Sequence, residues 1–174
     1  MTARKAVTPT VTIVVVPTGD TPDGFEDMSV DERRAASRGA WETFPLRSGR
    51  LLDTFLMKAT GVDLGVLRCE DRKREGQVLQ TSLWPRSTIV EVIRDLAGLV
   101  EKRPDDTAKA LRKHGGDVAT LARVTRALKS GAWPDAGDPA VEAAAFTHQL
   151  LGYARIAKAE KMGLCWEFRG KVVV

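Results

Sequence analysis

Lysine and arginine side chains are the residues of this sequence whose type and spacing best suit a chemical task, the binding of phosphate. Residues 104–130 hold six of them against three aspartates, and residues 155–174 hold five against two glutamates. Residues 1–85 are neutral, so the net charge of +4 arises entirely in the later part of the chain. Clustered basic residues in a chain with a pI of about 9.3 are typical of proteins that contact nucleic-acid phosphates.

We predict that the two basic segments form one phosphate-binding surface in a non-catalytic, nucleic-acid-associated protein. The predicted nucleic-acid-binding residues are Lys109, Arg112, Lys113, Arg123, Arg126, Lys158 and Lys161. The alternative is that these side chains only keep helix surfaces hydrated and complement helix C-termini. The sequence leaves open whether the nucleic acid is DNA or RNA.

The segment 107–129 has the pattern of a helix-turn-helix motif, in which the second helix enters the major groove of DNA. Two short helices are expected at about 105–113 and 117–129, with a glycine pair between them. Arg123 and Arg126 would then face outward, as a groove-binding helix requires. An ordinary helical hairpin would bury the same apolar positions, so both interpretations stay open.

A second hypothesis, of a different class, is a protein-interaction or inhibitor module of the kind that accessory genomes encode. Its partner-binding residues would be Trp41, Trp84 and Trp133, because tryptophan is a frequent anchor at protein interfaces. A contiguous cationic face would favour nucleic-acid binding, whereas scattered bases beside an exposed aromatic patch would favour a protein partner.

A third hypothesis, metal-dependent cleavage of nucleic acid, concerns the segment 48–100. There a helix is followed by a strand that opens with Asp63, by a second strand that carries Gln80, and by another helix. This order resembles the core of the PD-(D/E)xK nucleases. The resemblance implies that Asp63 and Gln80 would hold a divalent metal while a lysine two residues on would position the attacking water. Ser82 occupies that lysine position, so the sequence favours a protein without catalysis.

No metal, cofactor or disulfide is expected. The two cysteines, Cys69 and Cys165, lie far apart in two predicted strands, and His114 and His148 are the only histidines. A structural zinc site needs four cysteine or histidine ligands at short spacings, which this arrangement does not offer. We therefore expect both cysteines to be buried apolar side chains.

Hydrophobic periodicity predicts ten elements, in the order β, α, α, β, β, α, α, α, α, β. The early ones are a strand at 11–16, helices at about 30–44 and 48–60, and a β-hairpin at 64–84 with a charged, solvated tip at 70–76. The helix at 30–44 would begin at a capping box, in which a serine and a glutamate three residues later satisfy each other's amides.

The later elements must position the basic residues. A central helix begins near Ser87 and places Leu96 in the middle of its apolar stripe, facing the core. Beyond the two short helices, a long helix at 140–162 is expected to stop at Gly163, and 164–174 closes the chain as a strand.

These elements predict an α+β fold with a small, mainly antiparallel sheet, a central β-hairpin and a C-terminal helical subdomain that returns to a last strand. We expect an α+β core at 1–103 that contains the hairpin 64–84. A basic helical subdomain with the closing strand is expected at 104–174, and the two parts should form one compact domain.

Membrane association is not expected, because no apolar run approaches the roughly 20 residues that a membrane-spanning helix needs. Arg4 and Lys5 precede the apolar run 11–16, but that run is shorter than the core of a secretory signal. We therefore expect a cytoplasmic protein whose partner is a nucleic acid or another protein. Its oligomeric state does not follow from the sequence.

Overall fold

The structure is a computed structural model that describes residues 10–16, 35, 41–45, 56, 58–62, 67–74, 77–84, 86–115, 119–135 and 137–171. Side chains are described at residues 35, 56, 58–62, 86–115, 119–135 and 137–164. Most of the predicted helices at 30–44 and 48–60 therefore lies outside the described residues. Within these segments, positions 35, 56 and 58–60 are helical.

Four helices make up most of the described chain after residue 85. Helix α1 spans Arg86–Ala97 and continues as a π-helical turn, Gly98–Lys102. Helices α2, α3 and α4 span Pro104–Gly115, Leu121–Ser130 and Pro139–Ala159. All four predicted helices of this region are confirmed.

Side-chain caps explain where α3 and α4 begin. The Oγ1 of Thr120 accepts a hydrogen bond from the amide of Arg123 at 3.3 Å, so α3 starts after Thr120 and later than predicted. The Oδ1 of Asp138 accepts from the amides of Ala140 at 3.2 Å and Val141 at 3.4 Å. The Asp138 cap satisfies first-turn amides that have no partner inside the helix, whereas the amide of Arg123 also bonds to the carbonyl of Thr120 at 3.0 Å.

Helix α4 forms the centre of the described core. Its residues from Ala140 to Thr147 are all buried, and Phe146 is fully enclosed. Small side chains here allow close approach, since a methyl group added to Gly115 would lie only 2.5 Å from the Cβ of Ala140. Leu96 of α1 is 0% exposed, which confirms its predicted burial.

Contacts along α4 establish the directions of its neighbours. Helix α2 begins just after Glu101, and Glu101 pairs with Arg155 near the C-terminal end of α4. The last residue of α2, Gly115, lies against Ala140 at the N-terminal end of α4. Helix α2 therefore runs antiparallel to α4. Helix α3 runs parallel to α4, because its first turn faces Asp138 and its last turn accepts a hydrogen bond from His148.

The C-terminal end of α4 is closed by a Schellman motif. Lys161 has a positive φ of 57°. The amide of Lys161 donates to the carbonyl of Lys158 at 3.1 Å, and the amide of Met162 donates to the carbonyl of Ala157 at 2.7 Å. The predicted stop at Gly163 is wrong, because Lys161 takes the left-handed conformation and Gly163 is already the first residue of the following strand.

Five strands are paired through their backbones, all antiparallel, in the order β2-β1-β5-β4-β3. Their bounds are Thr10–Val16 for β1, Trp41–Pro45 for β2, Leu67–Arg74 for β3, Gln77–Trp84 for β4 and Gly163–Lys171 for β5. Only the first two residues of β5 have described side chains, and of these Leu164 is fully buried in the helical core.

The predicted α+β fold with a sheet is wrong for the residues whose side chains the structure describes. That part of the chain is 79% helical, with a single short strand and no sheet. The predicted sheet consisted of the strand at 11–16, the hairpin at 64–84 and the closing strand at 164–174. The side chains that bury one another in the described core instead come mostly from α1–α4, because small residues on α4 let three helices pack around it.

Two local predictions also need correction. The helix predicted to reach Phe44 does not, because Trp41–Pro45 is strand β2, in which Trp41 pairs with Val14 of β1. The charged run predicted as a hairpin tip continues strand β3 as far as Arg74. Aromatic and β-branched residues suit an extended chain when a neighbouring strand is present, and this tertiary partner outweighs local helix signals.

None of the helices in the described ranges has the length and apolar character that crossing a membrane requires.

Candidate nucleic-acid interface

Three cations of α2 line one depression on the surface. Lys109, Arg112 and Lys113 are all exposed, and together with Leu121 at the start of α3 they enclose a volume of about 150 Å³. Their spacing of three and four residues puts the three side chains on one face of α2. The helix therefore concentrates positive charge beside the link to α3.

Arg112 is held in place by that link. Its Nε donates a hydrogen bond of 3.2 Å to the carbonyl of Ala119, and Ala119 is only 2% exposed. A guanidinium has five N–H donors in a rigid plane, so this single bond orients the group and leaves its terminal nitrogens to face the depression or solvent.

Helix α3 has a cationic outer face and an apolar inner face. Arg123, Arg126 and Lys129 are exposed, whereas Val124 and Leu128 are fully buried against the core. The helix contains no acidic residue. Lys129 was not among the predicted binding residues, although its spacing of three residues from Arg126 was a signal that the sequence already carried.

Arg123 forms an ion pair with Asp138, the carboxylate that caps α4. Its Nη1 lies 3.7 Å from the Oδ2 of Asp138, whose side chain is 3% exposed against 45% for Arg123. The Oδ2 is buried and has no hydrogen-bond partner among the described residues, so the Arg123 guanidinium partly compensates its charge. Arg123 therefore stabilises the N-terminal cap of α4 while part of it remains accessible to solvent.

Lys158 and Lys161 are exposed at the opposite end of α4. A helix of 21 residues is about 30 Å long, and Arg123 lies at its other end. The structure thus brings Lys109, Arg112 and Lys113 together, places Arg123 and Arg126 on the adjoining helix, and separates Lys158 and Lys161 from them.

One strong ion pair lies near this far end. Arg155 donates two hydrogen bonds to Glu101, with Nη1–Oε1 at 2.8 Å and Nη2–Oε2 at 3.0 Å. The hydrogen bonds from Arg155 lower the pKa of the Glu101 carboxyl below its ordinary value. The pairing was not predicted, because 54 residues separate the two partners in sequence. Because Arg155 is paired with Glu101, one of the five cations of the segment 155–174 already has a carboxylate partner.

The link between α2 and α3 bears on the helix-turn-helix hypothesis. Helix α2 ends at Gly115 and α3 begins at Leu121. The intervening segment is therefore longer than the three-to-four-residue turn of the DNA-binding motif. The arrangement is closer to a helical hairpin with a cationic rim than to a compact helix-turn-helix unit.

The tryptophans chosen as partner anchors are placed differently. Trp133 is half-buried and packs against the helical core, where it contributes to packing. Trp41 lies on β2 and Trp84 on β4, but the side chains of both are outside the described set. Val90 and Ile156 are the large apolar side chains that are exposed among the described residues.

The residues of the nuclease-like hypothesis fall mainly outside the described side chains. Asp63 lies outside the described residues altogether, and Gln80 and Ser82 are on β4. Both cysteines lie on strands, Cys69 on β3 and Cys165 on β5, and their side chains are not among those described. Within the part of the chain that was searched, no group of three or more His, Cys, Asp or Glu residues could hold a metal ion.

No family model matches the chain, and comparisons with curated proteins and with solved structures give no significant match.

Proposed function

We propose that this protein binds nucleic acid without catalysis, through phosphate contacts made by the exposed cations of α2 and α3. The observation that carries the proposal is the set of exposed cations on two helices that are packed against each other. The depression lined by Lys109, Arg112 and Lys113 adjoins α3, whose exposed cations are Arg123, Arg126 and Lys129.

The acidic residues of α2 lie at the N-terminal end of the helix, before the three cations that line the depression. Asp105 and Asp106 occupy its first turn, where negative charge complements the helix dipole. Lys109 does approach Asp106, with Nζ–Oδ1 at 3.8 Å, but both side chains are well exposed and such surface pairs are weak. A phosphate can therefore compete for Lys109.

The expected binding is weak and largely independent of sequence. Exposed lysines and arginines contact phosphates, which are the same at every position of a nucleic acid, whereas sequence is recognised by side chains that meet base edges. If about four cations meet phosphates of duplex DNA, the logarithm of the association constant should fall with the logarithm of salt concentration with a slope of about −3.6.

Fluorescence anisotropy titrations at several salt concentrations test the proposal. The double variant Arg126→Ala with Lys129→Ala should make the slope less steep by up to about 1.8. The matched control removes the same charge at the far end of α4, through Lys158→Ala with Lys161→Ala, and should leave the slope nearly unchanged. Equal effects of the two variants would instead support one phosphate-binding surface that includes Lys158 and Lys161, as predicted from the sequence.

Absence of binding to duplex DNA, single-stranded DNA and RNA at about 50 mM salt would contradict the proposal. The protein-partner and nuclease-like alternatives remain predictions from the sequence, since no contact among the described side chains favours either. A cytoplasmic location forms part of the proposal and rests on the sequence alone.

A further inference from the structure

We propose that the depression between α2 and the start of α3 binds one phosphate group, and that it takes a terminal phosphomonoester in preference to an internal phosphodiester. The inference rests on the proposed function, because the natural source of such a group would be the end of a nucleic-acid strand. The same chemistry is offered by free inorganic phosphate, and the experiments below separate the two sources.

The size of the depression suits a phosphate group better than a whole nucleotide. Its volume is about 150 Å³. Pockets that enclose drug-sized ligands occupy roughly 300–1,000 Å³. A phosphate can therefore enter while the attached nucleoside stays outside, so the site would recognise charge and not the base.

Arg112 supplies the oriented donors. Because its Nε is bonded to the carbonyl of the buried residue Ala119, less side-chain freedom remains to be lost when an anion binds. A guanidinium forms paired hydrogen bonds with phosphate oxygens, and such charge-assisted bonds are among the strongest in proteins.

The charge of the site favours a doubly charged ligand. Lys109 and Lys113 flank Arg112 on the same helix face, and none of the described residues that line the depression is a carboxylate. Like charges four residues apart on a helix repel each other, and a bound anion relieves this repulsion. A phosphomonoester carries about 1.5 to 2 negative charges at neutral pH, whereas a backbone diester carries one.

The first experiment compares two 3′-labelled oligonucleotides that differ only in a 5′-phosphate or a 5′-hydroxyl, titrated against the full chain at fixed salt. The 5′-phosphorylated strand should bind about five- to tenfold more tightly. Lys113→Ala should reduce this ratio toward one. Arg126→Ala, on α3 and outside the depression, should weaken both strands equally and preserve the ratio.

Two further variants test the role of Arg112. Arg112→Lys keeps the positive charge but loses the planar donor pair, so most of the preference should disappear. Arg112→Lys and Arg112→Ala both remove the Nε bond to Ala119, so thermal melts of the two variants are needed to show that they still fold. Lys113→Ala does not touch that bond and keeps the proposal falsifiable if Arg112→Ala unfolds.

The outcomes separate the two proposals. Equal binding of both strands by the unmodified chain would overturn the phosphate pocket and leave the proposed function intact. Inorganic phosphate that binds the unmodified chain but not Lys113→Ala, with no binding of either strand, would support the pocket and overturn the proposed function. If neither oligonucleotide nor inorganic phosphate binds the unmodified chain, both the phosphate pocket and the proposed function are overturned.

Discussion

The two ends of helix α4 carry similar charge in the sequence but are built differently. At the N-terminal end, α2 and α3 close around the helix, Asp138 caps it, and Arg123 faces that cap. At the C-terminal end, Lys158 and Lys161 extend into solvent and the chain turns directly into β5.

This difference shows that similar local charge does not give a similar arrangement of the cations. At the N-terminal end, close helix packing orients Arg112 through the carbonyl of Ala119 and gathers three cations around one depression. At the C-terminal end, Arg155 is occupied by Glu101, and the remaining lysines are not held by any described contact. Orientation by packing, more than charge count, is what distinguishes the two ends.

The largest expected effect concerns packing within α4. Phe146 is fully enclosed in the N-terminal half, whereas Ile156 in the C-terminal half is 38% exposed. We expect Phe146→Ala to lower the free energy of unfolding by about 3–5 kcal/mol, because it leaves a cavity among rigid neighbours. Ile156→Ala should cost about 1 kcal/mol or less. Urea denaturation of both variants provides the measurement, and similar losses would mean that the two halves are equally packed.

An intermediate effect is expected where α3 ends against α4. Gly131 has a φ of 69°, and a methyl group there would lie 2.6 Å from Cδ2 of His148. Gly131→Ala should therefore cost about 2–4 kcal/mol, from backbone strain and overpacking together. Gly152→Ala is the control, since open space surrounds Gly152 on α4, and it should stabilise by about 0.4–1 kcal/mol. A neutral Gly131→Ala in thermal melts would show that this helix junction can relax.

The smallest effect is expected at the far end of α4. Lys161 adopts a left-handed conformation, with φ of 57°, which glycine accepts without steric cost. We expect Lys161→Gly to raise the free energy of unfolding by about 0.5–1 kcal/mol, because relief of strain exceeds the added freedom of the unfolded chain. Thermal melts measure it, and a loss of stability would mean that the Lys161 side chain makes a contact of its own.

The helices after residue 85 were predictable because their signals are local. The apolar stripe around Leu96 repeats within neighbouring turns of one segment, and the structure has helix α1 there. Helix α3 begins later than the predicted start at about 117, because the Thr120 hydroxyl caps its first turn. Strand β2 was missed because its partner, β1, is distant in the sequence.

For the candidate site, the sequence identified the cations but not their grouping. Lys109, Arg112 and Lys113 share a helix face by spacing alone, so their proximity follows from helix geometry. Nothing local indicates that Arg112 bonds to Ala119, that Arg123 faces Asp138, or that Arg155 pairs with Glu101. These partners meet only after the helices pack.

The sequence by itself determines the excess of positive charge after residue 85, the four helices that carry most of it, and the apolar stripe of α1, since composition and periodicity act over a few neighbouring residues. The packing of the helices around α4 determines which cations share a surface. Close contacts such as that of Gly115 with Ala140 fix the order and direction of the helices. Those contacts join residues distant in the sequence, and their energy depends on shape complementarity that no single segment contains.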